Sequence, residues 1–207
     1  MENKIYLFGA SGHCKVVIDV IASAQESLVK GIVDDHPLLE ALYGIPVLNT
    51  NCFETFSDKQ FIVSVGNNSA RKKIVTQLSA AYATAVHAKA IVSGHTIIGE
   101  GTVIMAGVVL NADVVIGQHC IINTAAVIEH DCKVGDFVHV SPNAALAGSV
   151  TVGEGAHIGI GATVIQGIQI GKWATIGAGA VIIDHVPDYA IVVGNPGKII
   201  KYKIVNE

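Results

Sequence analysis

An aliphatic residue returns at every sixth position of the chain between residues 86 and 182, without one exception. The residues at these positions are Val86, Val92, Ile98, Ile104, Leu110, Ile116, Ile122, Ile128, Val134, Val140, Leu146, Val152, Ile158, Val164, Ile170, Ile176 and Ile182. An α-helix has no period of six, and a flat strand alternates every two residues. The pattern therefore predicts a parallel β-helix of hexapeptide repeats, in which each six-residue unit forms one short strand.

A second, longer period lies on top of the first, because glycine follows the aliphatic residue at positions that are 18 apart. These glycines are Gly99, Gly117, Gly135, Gly153 and Gly171. Three hexapeptides therefore make one coil, and residues separated by 18 lie one above the other. The stretch from 86 to 187 then forms about 5.7 coils, a prism about 27 Å tall at the usual spacing of neighbouring strands.

Composition fits such a prism and excludes some classes of partner. The chain of 207 residues is 51% hydrophobic but only 5% aromatic, so its core is built from aliphatic columns. The net charge of −4 without a basic run argues against a nucleic-acid or membrane-surface partner. The chain opens Met-Glu-Asn-Lys and has no long apolar run, so we expect a cytoplasmic protein without membrane insertion. Cys120 and Cys132 occupy inward positions, and the four cysteines form no CxxC pair, so we expect neither a metal nor a disulfide.

Residues 1–84 lack the six-residue period, and their pattern predicts a separate α/β domain. Residues 85–207 are predicted to form the β-helix and a C-terminal tail. Strands are predicted at 4–8, 29–33 and 61–65, and helices at 14–24 and 71–78. This order is typical of a small, parallel, Rossmann-like sheet. Ligands of such sheets bind at the carboxyl ends of the strands, where the turns Gly9–His13, Asp34–Asp35 and Gly66–Asn68 converge.

The first of these turns suits a nucleotide. Gly9 and Gly12 allow a phosphate to approach the backbone at a helix N-terminus, and Asp34 follows Gly12 by 22 residues, suitably placed for a ribose or base. The motif lacks the complete GxGxxG pattern, so an NAD site and a tight turn without a ligand are the alternatives. His13 is either a helix cap or a ligand contact.

The 18-residue coil also places side chains on the prism. His130 and Gly148 differ by 18, so the backbone N–H groups around Gly148 lie about 5 Å from His130, where acyl transfer needs a donor for an oxyanion. His139 and His157 also differ by 18, but His139 is nine residues beyond His130 and therefore half a circuit away. A pocket that uses both histidines must take them from two chains that assemble side by side, and three such prisms around a threefold axis would create three equivalent grooves, each lined by two subunits.

His130 is the candidate general base. Its imidazole, with an ordinary pKa near 6.5, is largely neutral at pH 7 and accepts a proton from an attacking amine or hydroxyl. Either Asp131 or Glu129 orients the ring and stabilises its protonated form. The alternative is that His130 is only an outward-facing residue, as we expect of His95 and His119.

Nine short sequence motifs are distributed over nearly the whole chain. They are Gly9-Ala-Ser-Gly-His13, Val33-Asp-Asp35, Gly66-Asn-Asn68, Arg71-Lys-Lys, Ile122-Asn-Thr124, Ile128-Glu-His-Asp-Cys132, His139-Val-Ser141, Ala147-Gly148 and Gly194-Asn-Pro196. Together they resemble the PglD/NeuD-like sugar acyltransferases. The resemblance implies a left-handed β-helix trimer that moves an acetyl group from acetyl-CoA to a sugar. In the PglD-like branch the acceptor is the 4-amino group of a UDP-linked 4-amino-4,6-dideoxy sugar.

The resemblance also implies roles for individual residues. His130 is the proton acceptor, Asp131 raises its basicity, and Gly148 offers its N–H to the acetyl carbonyl, without a metal or a covalent acyl-enzyme. The expected acetyl-CoA contacts are His139, Gly148, Ile160, Ala178 and Pro196. The expected contacts to the UDP-amino sugar are Ser11, Gly12, His13, Asp34, Asp35, Gly66 and Asn123.

Three other functions use some of the same residues. A sialic-acid-type sugar O-acetyltransferase has the same base but a hydroxyl acceptor. A zinc lyase on a trimeric left-handed β-helix needs three histidines around the metal, of which His139 and His157 are candidates. A non-enzymatic, nucleotide-binding scaffold needs the N-terminal turns alone.

Overall fold

The computed structural model describes residues 3–24, 27–52 and 59–204. Its N-terminal part is a six-stranded sheet in the order β3-β4-β2-β1-β5-β6. The strands are β1 (Asn3–Phe8), β2 (Ser27–Asp34), β3 (Ala41–Leu42), β4 (Ile45–Asn49), β5 (Gln60–Val63) and β6 (Ala81–Tyr82), with helices α1 (Gly12–Ala24) and α2 (Asn68–Gln77) and a 3₁₀ turn at Thr50–Cys52. All pairs are parallel except β3 with β4. The predicted strands and helices are confirmed to within three residues at each end, and α1 begins at Gly12, inside the predicted turn. Strands β3, β4 and β6 were not predicted.

The hexapeptide stretch forms a prism with three faces, each a parallel sheet of two-residue strands β7 to β23. The first face contains Ala85–Val86, Val103–Ile104, Ile121–Ile122, His139–Val140, His157–Ile158 and Thr175–Ile176. The second face contains Ile91–Val92, Val109–Leu110, Val127–Ile128, Ala145–Leu146, Thr163–Val164 and Val181–Ile182. The third face contains Ile97–Ile98, Val115–Ile116, Lys133–Val134, Thr151–Val152 and Gln169–Ile170. Paired residues on each face differ by 18, which confirms the predicted length of the coil.

Two inward columns fill the prism. The second residue of each strand is aliphatic and, from Ile104 onward, almost completely buried. A small or branched residue four positions later forms the other column, including Ala126, Cys132 and Ala144, each 0% exposed. The two cysteines predicted to point inward, Cys120 and Cys132, are therefore confirmed as core residues. Burial of these columns is the main stabilising contribution to the prism.

Each corner of the prism turns through a residue with positive φ. These residues recur every sixth position, and Asp131 (φ 61°) and Ser149 (φ 61°) are two examples at neighbouring coils. Aspartate is one of the residues that tolerate the left-handed region best. The residue just before each of these positions therefore has a fixed direction outward from the corner, and His130 is one of them.

The N-terminal part lies against the first face. Buried residues of α1 form one apolar cluster with Ala85, Val103, Met105 and Ile121 of the upper coils. Helix α2 lies instead beside the corner between the third and first faces, where its polar side chains contact backbone carbonyls. After the last coil, β24 (Ala190–Val193) and β25 (Lys198–Tyr202) extend the sheet of the first face.

Candidate active site

His130 projects from the corner between the second and third faces. Its Nδ1 lies 2.7 Å from Oδ2 of Asp131, and the two side chains are 61% and 59% exposed. A carboxylate only accepts hydrogen bonds, so Nδ1–H is the donor and the neutral ring carries its lone pair on Nε2. The hydrogen bond to Asp131 raises the pKa of His130, as does the negative charge of Glu129. The arrangement is that of a base oriented by a carboxylate.

The second candidate orienting group, Glu129, faces elsewhere. Its Oε2 accepts a hydrogen bond of 2.8 Å from Nδ2 of Asn111, which is 18 residues earlier and therefore one coil above. Of the two carboxylates left open by the sequence, Asp131 is thus the one that contacts the His130 ring.

Gly148 lies directly beneath the His130 ring, as the 18-residue coil predicts. A Cβ atom added to Gly148 would stand 2.7 Å from Cε1 and 2.8 Å from Nε2 of His130. The next N–H, that of Ser149, donates to the His130 carbonyl oxygen at 2.9 Å. Within the described ranges, the N–H of Gly148 itself forms no hydrogen bond. A free N–H group beside a candidate general base is what a developing oxyanion requires.

His139 and His157 form a stacked pair on the first face. Their ring centroids are 4.9 Å apart at an interplanar angle of 22°. Nδ2 of Asn123 lies 3.0 Å from Nε2 of His139, and Oγ of Ser141 lies 2.9 Å from Nε2 of His157. The Thr124 N–H donates to Oδ1 of Asn123, which fixes that amide with its NH₂ group toward His139. Nε2 of His139 is therefore an acceptor.

The histidines on this side of the prism are neutral at physiological pH. Burial, followed by the charges of His157 and Arg71, lowers the pKa of His139 to about 3. Burial and Arg71 lower the pKa of His13 to about 4, and burial lowers the pKa of His157. Nε2 of His13 is buried and forms no hydrogen bond with any residue that the structure describes. Nδ1 of His139 is also buried, and the nearby backbone of Gly66 acts against the lowering of the His139 pKa.

A cleft of about 1110 Å³ opens beside His139 and His157, between α2 and the lower coils. It is lined by Gly66, Asn67, Asn68, Ser69, Lys72, Lys73, Thr76, His139, Gly155, His157, Trp173, Thr175, Tyr189, Lys203 and Ile204. Three of these residues are lysines, and Nζ of Lys72 forms an ion pair with Glu154. The cleft brings the Gly66 turn of the N-terminal part next to His139.

The remaining residues of the predicted nucleotide site gather at the start of α1. Ser11 and Gly12 are exposed, and a Cβ at Gly12 would meet nothing within 4 Å. Asp34 accepts from the N–H of Ala10 at 2.8 Å and from the N–H of His36 at 2.9 Å. Its carboxylate therefore also holds the glycine turn in place, while Asp35 is exposed.

Of the residues predicted to contact acetyl-CoA, Ile160 and Ala178 lie at another corner. Ile160 and Ala178 are exposed at the corner between the first and second faces, and the Gly179 N–H donates to the Ile160 carbonyl at 2.8 Å. Pro196 is exposed in the turn between β24 and β25. His130 occupies the corner opposite the first face, so within one chain it is separated from His139 by the body of the prism.

Two residues differ from what the sequence led us to expect. His119 was expected on an outward face, but it is only 3% exposed. Its ring stacks on Phe137 at 5.2 Å and meets the edge of Tyr82 at 4.4 Å, because the N-terminal part covers this corner. Arg71 belongs to the Arg71-Lys-Lys motif and had no predicted role of its own. It is 1% exposed and hydrogen-bonded to the same corner. The six-residue period of the sequence predicts neither the ring contacts of His119 nor the hydrogen bonds of Arg71.

Among residues 3–24, 27–52 and 59–204, no group of three or more His, Cys, Asp and Glu side chains is arranged to hold a metal ion. The two stacked histidines thus have no third ligand in the described part of the chain. None of the helices in that part is long and apolar enough to cross a membrane.

Family comparisons match both parts of the chain. Residues 4–78 match the PglD N-terminal domain, and residues 95–129 and 149–184 match the bacterial transferase hexapeptide of six repeats. A curated relative, UDP-N-acetylbacillosamine N-acetyltransferase of Bacillus subtilis, is 42% identical over 113 residues, which are 51% of this chain and 52% of that protein. The match therefore spans about half the length of this relative.

Solved structures match over nearly the whole chain. PerB of Caulobacter crescentus, in complex with CoA and GDP-perosamine, is 38% identical with a TM-score of 0.88, over 95% of this chain and 97% of that one. The acetyltransferase domain of PglB from Neisseria gonorrhoeae is 37% identical with a TM-score of 0.88, over 96% and 100%. WeeI from Acinetobacter baumannii is 31% identical with a TM-score of 0.88, over 95% and 99%. These matches agree with the predicted left-handed hexapeptide β-helix behind an α/β domain.

Proposed function

The chain belongs to the family of hexapeptide-repeat sugar N-acetyltransferases that includes PerB and the PglB acetyltransferase domain, and from this premise we propose its reaction. It transfers the acetyl group of acetyl-CoA to the 4-amino group of a UDP-linked 4-amino-4,6-dideoxy sugar. The name of the curated relative supports a UDP-linked acceptor. PerB, which is bound to GDP-perosamine, makes a GDP-linked 4-amino sugar the competing acceptor.

One observation carries the proposed mechanism: Nδ1 of His130 donates to Asp131, which leaves Nε2 as a proton acceptor above Gly148, whose N–H forms no hydrogen bond in the described part of the chain. The acceptor amine attacks the thioester carbonyl, and a C–N bond forms as His130 takes the proton from the amine. The Gly148 N–H stabilises the tetrahedral oxyanion. When the oxyanion collapses, the C–S bond breaks, CoA leaves as a thiol with a proton from the medium or from His130, and the amide product remains.

We propose that each site is built from two subunits of a homotrimer. His130 and Gly148 come from one chain, whereas His139, Ile160 and Ala178 of the next chain contact acetyl-CoA. The outward positions of the second face support this, because five of the six are apolar (Ile91, Val109, Val127, Ala145 and Val181) and the sixth is Thr163, as expected of a face turned toward the threefold axis. Such an arrangement brings the His130 corner of one chain to the Ile160 corner of its neighbour.

The N-terminal part supplies the acceptor in this proposal. Ser11, Gly12 and His13 hold the diphosphate and sugar, Asp34 and Asp35 lie near the nucleoside, and Gly66 and Asn123 border the acceptor. The buried, unbonded Nε2 of His13 supports a ligand at this position. Because both substrates carry nucleotides made in the cytoplasm, we place the reaction there.

An assay of thiol release from acetyl-CoA tests the proposal. The acceptors are UDP-4-amino-4,6-dideoxy, GDP-4-amino-4,6-dideoxy and UDP-3-amino sugars together with a sialic acid, and His130→Ala is the inactive control. We expect the fastest turnover with the UDP-4-amino sugar and a loss of roughly 10² to 10⁴ in the control. Preference for sialic acid would replace the proposal by O-acetylation, and no thiol release with any acceptor would favour a non-enzymatic scaffold.

A further inference from the structure

Arg71 of α2 is the most thoroughly buried charged side chain in the described part of the chain, at 1% exposure. Its Nε donates to the His119 carbonyl at 2.8 Å, and Nη2 donates to the Phe137 carbonyl at 2.8 Å. His119 and Phe137 differ by 18, so one guanidinium spans two successive coils of the prism.

The other hydrogen bonds of Arg71 reach the N-terminal part. Nη1 donates to the Val65 carbonyl at 3.0 Å and to the Gly66 carbonyl at 3.3 Å, and Nη2 donates to Oδ1 of Asn68 at 3.0 Å. All five N–H groups of the guanidinium are therefore used. No carboxylate among the described residues contacts Arg71, so the hydrogen-bond acceptors of its guanidinium are neutral backbone and amide oxygens.

The geometry of these bonds joins two parts of the proposed site. The Val65–Gly66 carbonyls belong to the turn after β5 that borders the cleft, and the His119 and Phe137 carbonyls belong to the rigid corner of the prism. Asn68 adds a third coil, because its Nδ2 donates to the Gly155 and Ala156 carbonyls at 3.2 and 3.1 Å. The guanidinium fork is the group that satisfies acceptors in fixed directions, which a lysine ammonium does not.

The positive charge of Arg71 also acts on the histidines around it. It contributes to lowering the pKa of His13, His119, His139 and His157, in each case after burial. An arginine without a carboxylate partner at this point thus supports the neutral form of every imidazole near the cleft.

We propose that Arg71 is a positioning residue for acetyl transfer, because it fixes the Gly66–Asn68 turn to the prism. The acceptor sugar held by the N-terminal part is thereby positioned beside the acyl donor. The inference rests on the proposed function. Arg71 is buried behind the turn and does not line the cleft, so its effect reaches the reaction through the turn. Its loss should change the handling of the acceptor more than that of acetyl-CoA.

Steady-state kinetics of Arg71→Lys test this, with Gln77→Ala, an exposed change at the end of the same helix, as the matched control. We expect kcat/KM for the sugar nucleotide to fall at least about tenfold, KM for acetyl-CoA to change less than about twofold, and the control to behave as wild type. A lower melting temperature with unchanged kcat/KM for the acceptor would make Arg71 merely stabilising and overturn the proposal. Equal losses toward both substrates would also overturn it.

Two further measurements keep the inference testable if Arg71→Lys folds poorly or the acceptor is wrongly assigned. Asn68→Ala removes one acceptor of Arg71 and two bonds to the prism, and it should give a smaller loss of the same kind. Hydrogen exchange needs no activity: the peptide 64–71 of either variant should exchange at least about tenfold faster than in wild type, with α1 unchanged. Unchanged exchange in this peptide would refute the positioning role, whereas absence of acetyl transfer by the wild type would refute only the proposed function.

Discussion

Replacing Gly148 by alanine adds a single methyl group beneath the proposed base. The new Cβ would stand 2.7 Å from Cε1 and 2.8 Å from Nε2 of His130, closer than non-bonded carbon and nitrogen atoms approach. Gly148 is not among the residues with positive φ, so alanine fits its backbone. The strain is relieved by moving the His130 ring, which is 61% exposed and free to swing outward. That movement breaks the 2.7 Å contact with Asp131 and takes Nε2 of His130 away from its place above Gly148.

The structure therefore predicts a large effect on turnover and a small one on stability. We expect kcat to fall by roughly 10² to 10⁴, the usual contribution of a positioned general base, and the melting temperature to change by about 2 °C or less. Gly94→Ala is the matched control, because a Cβ there meets nothing within 4 Å and Gly94 also lies in the repeat. Thiol release and a thermal melt of both variants provide the measurement. Wild-type kcat in Gly148→Ala would refute the role of the His130 ring that lies above this residue.

Three further predictions concern pH and the core. Asp131→Asn removes the carboxylate that raises the pKa of His130, so the acidic limb of kcat/KM against pH should move to lower pH; an unmoved limb would contradict the pairing. His13 and His139 have pKa values of about 4 and about 3 in the folded state, below the ordinary 6.5, so the unfolded chain binds more protons in this range. As the pH is lowered from about 6.5, the unfolding free energy should therefore decrease, by up to about 1.4 kcal/mol per pH unit for each of the two histidines. Urea melts from pH 6.5 to 4.5 measure this decrease, and a constant unfolding free energy would argue against two buried neutral rings. Leu146→Ala should cost about 2 to 5 kcal/mol in chemical denaturation because Leu146 is 0% exposed, and a cost under about 1 kcal/mol would contradict its place in the column.

The repeat made one part of the candidate site predictable. Because residues 18 apart must stack, the positions of Gly148 under His130 and of His139 beside His157 follow from counting alone, and both are confirmed. The same counting separates His130 from His139 by half a circuit.

The 18-residue spacing predicts no contact that involves residues outside the hexapeptide repeat. The bonds from Arg71 to His119 and Phe137 join residues 48 and 66 positions apart, and only the way α2 lies beside the prism brings them together. The burial of His119 has the same cause. Asp34 was predicted from its spacing as a nucleotide contact, but spacing gives no sign that its carboxylate also accepts the N–H groups of Ala10 and His36.

Mixing two inactive variants tests the shared site most directly. His130→Ala and His139→Ala are each purified, confirmed to be inactive and folded, combined in equal amounts under conditions that allow subunits to exchange, and assayed for thiol release. If each site takes His130 from one chain and His139 from its neighbour, random trimers contain intact sites at about one quarter of the wild-type number. We therefore expect about a quarter of wild-type activity. Activity no greater than the sum of the separate variants, with exchange verified, would contradict a site built from two subunits.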